Sequence, residues 1–83
     1  MSMLHNIEVK VMPLKELLDP QGKAVMGGLS NLGMSDIRDV RVGKNITLQV
    51  EASDASAAIA IAEEAAKKLL ANQVMEYFEV RVL

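Results

Sequence analysis

From Ile7 the side chains alternate, with Ile7, Val9 and Val11 on one face and Glu8 and Lys10 on the other. A period of two predicts a half-buried strand. Pro13 cannot donate to a ladder, so the strand ends near it and Leu14 to Leu18 become a connection. The pattern then changes. Asp19 offers a carboxylate to free backbone N–H groups, and Pro20 occupies the first helical position, where its missing N–H costs nothing. Val25, Leu29 and Leu32 follow at spacings of four and three, and Gly33 suits a left-handed stop. Gly27 and Gly28 inside this helix each cost about 1 kcal/mol relative to alanine. They suit a close approach to a sheet or another chain, or are simply tolerated.

Two further alternating runs, 37–42 and 46–50, place Val40 and Val42 with Ile46, Leu48 and Val50 on one face. Asp39, Arg41, Thr47, Gln49 and Glu51 take the other. Between the runs, Gly43-Lys44 predicts a tight type II′ hairpin turn. Ser53 or Asp54 caps a second helix whose expected buried stripe is Ala55, Ile59, Ala62, Ala66, Leu69 and Leu70. Its outer face carries Glu63 with Lys67 and Glu64 with Lys68, both in the favourable i to i+4 direction. Asn72 is placed to end that helix. A last strand sets Val74, Phe78, Val80 and Val82 inward and Tyr77, Glu79 and Arg81 outward, with the register slipping near Met75.

The order strand, helix, strand, strand, helix, strand predicts an α+β, ferredoxin-like two-layer sandwich: an antiparallel sheet with two helices on one face. One domain spanning 1–83 is expected, with residues 1–4 flexible. A domain of this length buries only about 60–65% of the surface its unfolded chain exposes, so association is the remaining route to extra burial. The interior is aliphatic, since 51% of residues are hydrophobic but only 2% aromatic, with six methionines. No apolar stretch approaches the roughly 20 residues that span a bilayer, and no signal-peptide pattern opens the chain. The absence of cysteine fits a reducing compartment, and a cytoplasmic location is expected. Nine basic and eleven acidic residues give a net charge of -2, the wrong sign for a protein held by phosphate neutralisation.

Catalytic chemistry finds little footing. His5 is the single imidazole and sits near the N-terminus, with no nucleophile or carboxylate obviously beside it. Ser30, Ser35, Ser53 and Ser56 fall at helix ends and turns, where backbone bonding accounts for them. Glu63 and Glu64 are adjacent on a helix and do not share a face. Asp36 and Asp39 lack the further acids or histidine that a metal site needs. Gly43-Lys44 exposes backbone N–H groups beside an ammonium, as phosphate sites do, but no glycine-rich loop surrounds it. In Asp19-Pro20-Gln21-Gly22-Lys23, capping accounts for Asp19 and Pro20 and leaves Gln21, Gly22 and Lys23 without a local duty.

Taken in order, Leu18-Asp19-Pro20-Gln21-Gly22-Lys23-Ala24, Leu32-Gly33, Asp39-Val40-Arg41-Val42-Gly43-Lys44 with Ile46 and Leu48, and Lys68-Leu69-Leu70-Ala71-Asn72 with Val74 and Glu76 resemble one family. It is the PurS subunit of phosphoribosylformylglycinamidine (FGAM) synthase. The resemblance runs from the first strand to the last. It implies a small non-catalytic subunit of an ATP- and glutamine-dependent carbon–nitrogen ligase of de novo purine (IMP) biosynthesis, which converts FGAR to FGAM. No active site is expected in this chain. The partners implied are other copies of itself, as dimer or tetramer, a PurL-type synthetase subunit that uses ATP and magnesium, and a PurQ-type glutaminase. This subunit would bridge the last two and support ammonia transfer. No cofactor or metal of its own, no nucleic acid and no membrane are implied.

Carried over by position, Asp19, Gln21, Gly22, Lys23, Arg41, Gly43, Lys44 and Asn72 are candidates for partner contact or loop shaping, with Asp19, Pro20 and Asn72 equally explained as caps. The chain departs from many relatives at Met26-Gly27-Gly28, where they carry a charged pair. It departs again at Ala65 and Ala66, where a cysteine or bulkier apolar residue is common. The first bears on contacts made by the first helix; the second suggests closer helix-to-sheet packing.

Three other readings share this topology. An ACT-like ligand-binding regulatory module needs a ligand loop after the first strand, and Met12 to Leu18 offers no glycine-rich turn. An acylphosphatase-like enzyme needs an arginine in that loop, which holds only Lys15. A single-strand RNA binder needs stacking aromatics on the central strands, and those strands have none.

Overall fold

A computed structural model describes residues 2–83. The chain is α+β, in the order β1 (Met3–Pro13), α1 (Pro20–Asn31), β2 (Lys44–Ala52), α2 (Ala55–Ala65) and β3 (Glu76–Val82). The three strands form an antiparallel sheet with β1 central, in the order β2-β1-β3. Ile7 pairs with Leu48 and with Val82, and Val9 with Ile46 and with Val80, so apolar rows from all three strands share one face. Val11 continues the row beside Phe78. Met3 and Leu4 lie within β1, opposite Ala52 and Glu51.

α2 lies across the apolar face, packed on all three strands. Asp54 is its cap, with Oδ1 accepting from the Ala57 N–H at 2.8 Å. Ile7, Val9, Val11, Ala58, Ala62 and Ala66 are fully buried, and Val50, Ala52 and Ala71 nearly so. The buried helix positions are therefore small residues four apart. Alanine at each lets the helix sit low on the β-branched rows, and dispersion contacts then replace bulk. The expected stripe needs correcting at its ends: Ala55 is exposed, and Leu69 is 84% exposed. At Ala55 the helix is only beginning; at Leu69 the reason is a π-helical turn over Ala66–Leu70, closed by the Ala71 N–H donating to the Ala66 carbonyl at 2.9 Å. One extra residue in that turn rotates Leu69 outward and leaves Leu70 and Ala71 facing the core. Of the helix's expected ion pairs, Glu64 and Lys68 meet at 2.6 Å.

The fold class is the expected one, but three particulars differ. Residues 37–42 form no strand, and Gly43-Lys44 makes no hairpin; Lys44 instead opens β2 opposite Val11. The alternation is present, but a strand also needs a ladder, and 37–42 has none among the described residues. Nor do both helices cover the sheet. α1 begins as expected, with Asp19 capping it and Gly33 in the left-handed region at φ 86°. Beyond its first turn, however, it stands away from the body, and Val25 and Leu32 are 42% and 77% exposed. Val74, expected inward, lies in the turn before β3 and is 81% exposed. The chain measures 55 × 25 × 14 Å with a radius of gyration of 16.4 Å. A close-packed domain of this length would have a radius near 12 Å. The excess is an arm, formed by α1 and the return segment 34–43, at the end of the sheet where β1 finishes and β2 and β3 begin.

Candidate functional site

The stretches Asp19-Pro20-Gln21-Gly22-Lys23 and Val40-Arg41-Val42-Gly43-Lys44 meet at the root of that arm, with the turn at Asn72 beside them. Asp19 sits at the centre. Its Oδ1 accepts from the Gly22 N–H at 3.0 Å, and its Oδ2 accepts from the Val42 N–H at 2.9 Å. One carboxylate thus caps α1 and ties the helix start to the entry of β2. The Gly22 N–H, then the Val42 N–H and more weakly the Arg41 guanidinium, hold its carboxyl below the usual range, against a smaller opposing effect of burial.

Arg41 turns back onto the connection after β1. Its Nη2 donates to the carbonyls of Leu14 at 2.5 Å and Pro13 at 3.2 Å, and Nη1 makes longer contacts of 3.4 Å with those of Lys15 and Leu17. A planar fork suits several carbonyls at once in a way that lysine does not. The two glycines are required by close approach. A Cβ at Gly22 would run into the Val40 carbonyl oxygen, and one at Gly43 would run into the Met12 sulfur and the Val11 carbonyl oxygen. Residues 40–43 are therefore threaded between the start of α1 and the end of β1.

Asn72 organises the adjoining turn. Its Oδ1 accepts from the Val74 N–H at 3.1 Å, its own N–H donates to Glu76 Oε1 at 2.8 Å, and its carbonyl accepts from Met75 and Glu76. The Leu14 N–H donates to the Met75 carbonyl at 2.9 Å, which joins this turn to the connection that Arg41 holds. Between the two lies a cleft of about 350 Å³, walled by Leu17, Leu18, Pro20, Val42 and Met75 with Asp19, Gln21, Asn72 and Glu76 at its polar margins.

Five of the eight candidates, Asp19, Gly22, Arg41, Gly43 and Asn72, are thus engaged inside the node or its turn. The side chains of Gln21, Lys23 and Lys44 are exposed and make no hydrogen bond or ion pair with the described residues. The acceptors supplied by Pro13 to Leu17 were not foreseen, because main-chain carbonyls leave no mark in a sequence. Glu76 as the partner of Asn72 could have been found from their spacing of four. Elsewhere, His5 Nε2 lies 3.3 Å from the Ala52 carbonyl, and Glu8 is held below the usual carboxylate range by its hydrogen bond with Arg81, then by Asn45. Among the described residues no group of three or more His, Cys, Asp or Glu could hold a metal ion, and no helix is long and apolar enough to cross a membrane.

The node spends its charged and polar groups on the chain's own backbone, beside exposed apolar surface. The family described as PurS, phosphoribosylformylglycinamidine (FGAM) synthase, matches residues 6–83, and the chain belongs to it. It is 35% identical over 79 residues to the PurS subunit from Bacillus subtilis, covering 95% of this chain and 93% of that protein. It is 43% identical over 68 residues to PurS from Mycobacterium leprae, covering 82% of each. Its fold is similar to a chain in the structure of PurLQS from Thermotoga maritima, with a TM-score of 0.90 at 32% identity, covering 98% of this chain and 99% of that one. The family is that of a subunit of FGAM synthase, an ATP- and glutamine-dependent ligase of purine biosynthesis.

Proposed function

We propose that these residues act as a single domain, the small non-catalytic subunit that bridges a PurQ-type glutaminase and a PurL-type synthetase and supports ammonia transfer during conversion of FGAR to FGAM. The observation that carries this reading is the likeness, over almost the whole of both chains, to a chain from the PurLQS structure of Thermotoga maritima. The residue chemistry is in keeping with it, since the polar candidates bond to backbone and assemble no nucleophile, base or metal site among the described residues. ATP and magnesium belong to the synthetase partner, and the complex works in the cytoplasm. Gln21, Lys23 and Lys44 are the contact candidates, while Asp19, Gly22, Arg41, Gly43 and Asn72 shape the loops that present them.

The test is reconstitution. Glutamine-dependent amidine formation by the matching synthetase and glutaminase is expected only when this chain is added. Equal activity without it would remove the bridging role. Lys44→Ala is expected to weaken assembly while leaving unfolding unchanged; loss of folding with assembly retained would withdraw Lys44 from the interface.

A further inference from the structure

Although the chain carries a net charge of -2, one of its hollows has only cations among its charged walls. It is a groove of about 400 Å³ in the arm, with Lys23 contributed by α1 and Arg38 by the return segment. Other hollows differ. The cleft beside Asn72 includes Asp19 and Glu76, the one behind the arm's root includes Glu16, Asp19 and Asp39, and the one on the sheet's outer face includes Glu8 and Glu79. Asp36 and Asp39 flank Arg38 in the sequence but do not line the groove. Among the described residues neither Lys23 nor Arg38 meets a carboxylate, and the hydroxyls of Ser30 and Ser35, also in the wall, make no hydrogen bond.

The backbone builds this arrangement. Lys23, Gly27 and Ser30 fall at spacings of four and three on one face of α1, opposite the face of Val25, Leu29 and Leu32. Covering that apolar stripe therefore leaves the groove open. After Gly33 turns the chain, the Met34 N–H donates to the Leu29 carbonyl at 3.0 Å and the Ile37 N–H to the Met34 carbonyl at 3.3 Å, which brings Ser35 and Arg38 back beside the helix. The negative end of the α1 dipole is close by, but the Gly28, Leu29 and Ser30 carbonyls already accept from the N–H groups of Leu32, Met34 and Gly33. Two whole positive charges outweigh what remains of its partial charge. Gly27 leaves a notch between Lys23 and Ser30, since nothing lies within 4 Å of where its Cβ would stand. The half-buried Met26 and Ile37 add an apolar lining.

We propose that this groove binds a small phosphate monoester of the nucleoside 5′-monophosphate class, its phosphate between Lys23 and Arg38 and its base against Met26 and Ile37. The fork of an arginine and the point charge of a lysine both suit phosphate oxygens. Four donor side chains match the three terminal oxygens of a phosphate better than the two of a carboxylate. A thioether beside an aliphatic side chain accepts the flat face of a base. The volume falls within the roughly 300–1,000 Å³ of small-molecule sites. This goes beyond the ligase reading and does not depend on it, because the groove would bind its ligand whether or not the chain bridges two other subunits.

The test is a titration of the full chain with AMP at low salt, followed by the chemical shifts of its backbone amides. Saturable shifts centred on Gly27, Ser30, Ser35 and Arg38 are expected, and added salt should weaken the binding. Lys23→Gln/Arg38→Gln is expected to weaken it by about tenfold or more. Gly27→Leu should abolish it by filling the notch while keeping α1 helical. Lys67→Gln, which removes one positive charge from α2's end of the molecule, should leave it unchanged. Inorganic phosphate should move the same amides with lower affinity, and adenosine should not bind. Adenosine binding as tightly as AMP would overturn the role of the phosphate, and inorganic phosphate matching AMP would overturn the nucleotide class. The site itself would be overturned by the absence of saturable shifts, by full binding in Gly27→Leu, or by an equal loss in Lys67→Gln.

Discussion

Ile7, Val9 and Val11 in the body are fully buried, whereas Val25 and Leu32 in the arm are 42% and 77% exposed, although each set forms a regular apolar stripe. Both stripes declare a face that water disfavours. In the body, α2 returns across the sheet and covers it within the same chain. In the arm, the node at Asp19 and Arg41 fixes the root in a direction that leads away from the body. An amphipathic stripe therefore says that a face will be covered, and not by which chain. For a small domain the distinction matters, because the body alone must supply the stability of the dissociated protein.

Core truncation gives the largest contrast. Ile7→Ala is expected to cost about 2–5 kcal/mol in urea unfolding, whereas Leu32→Ala in the dissociated chain should stay within about 0.5 kcal/mol. Equal losses would mean that the arm is packed like the body. Next come the glycines of α1 itself. Gly22→Ala forces a Cβ into the Val40 carbonyl and should cost about 1–3 kcal/mol. Gly27→Ala meets open space in the dissociated chain and should stabilise it by about 0.5–1 kcal/mol. A matching penalty at Gly27 in that chain would show its surface to be covered already.

Arg41→Ala removes donors from four carbonyls at the arm's root and should cost about 1–3 kcal/mol. Deuterium uptake should rise in 14–22 and 40–43 while β1 stays protected; uniform loss across β1 would place Arg41 in the core's folding and not at a local tether.

The smallest effect is on pH. The folded-state pKa values of Asp19 and Glu8 are depressed, so the unfolded chain binds protons first as the solution is acidified. Their stabilisation is complete above the ordinary carboxylate range near pH 4 and fades as pH falls toward the lower folded values. Asp19→Asn should flatten the acid limb of the stability profile, with the change in exchange confined to the arm's root, and Glu8→Gln should act on the sheet instead. An acid limb unchanged in both variants would assign it to other carboxylates.

Most of the body was legible in the sequence because its signals are local and agree. Alternation marked β1 and Ser53 or Asp54 marked the start of α2, and in the arm Asp19 and Gly33 likewise marked the two ends of α1. The stripe of α2 was read correctly at Ala62 and Ala66 and wrongly at Ala55 and Leu69, the latter because the 3.6-residue period does not announce a π turn. The candidate site was legible as a set of residues and not as an arrangement. Asp19, Gly22, Arg41, Gly43 and Asn72 were picked out, yet what Arg41 touches is backbone, and backbone is the same in every sequence.

Periodicity, capping and turn chemistry act over a few residues, so the chain by itself determined the identity of each helix, three of its four alternating runs as strands, and the apolar rows of the core. Whether 37–42 joins a ladder and whether α1 covers its own sheet depended on contacts between residues about 20 or more apart in the chain: Asp19 with Val42, Arg41 with Leu14, Gly43 with Met12. Those contacts exist only once the chain has folded, and the tertiary structure alone decided that the arm would point outward.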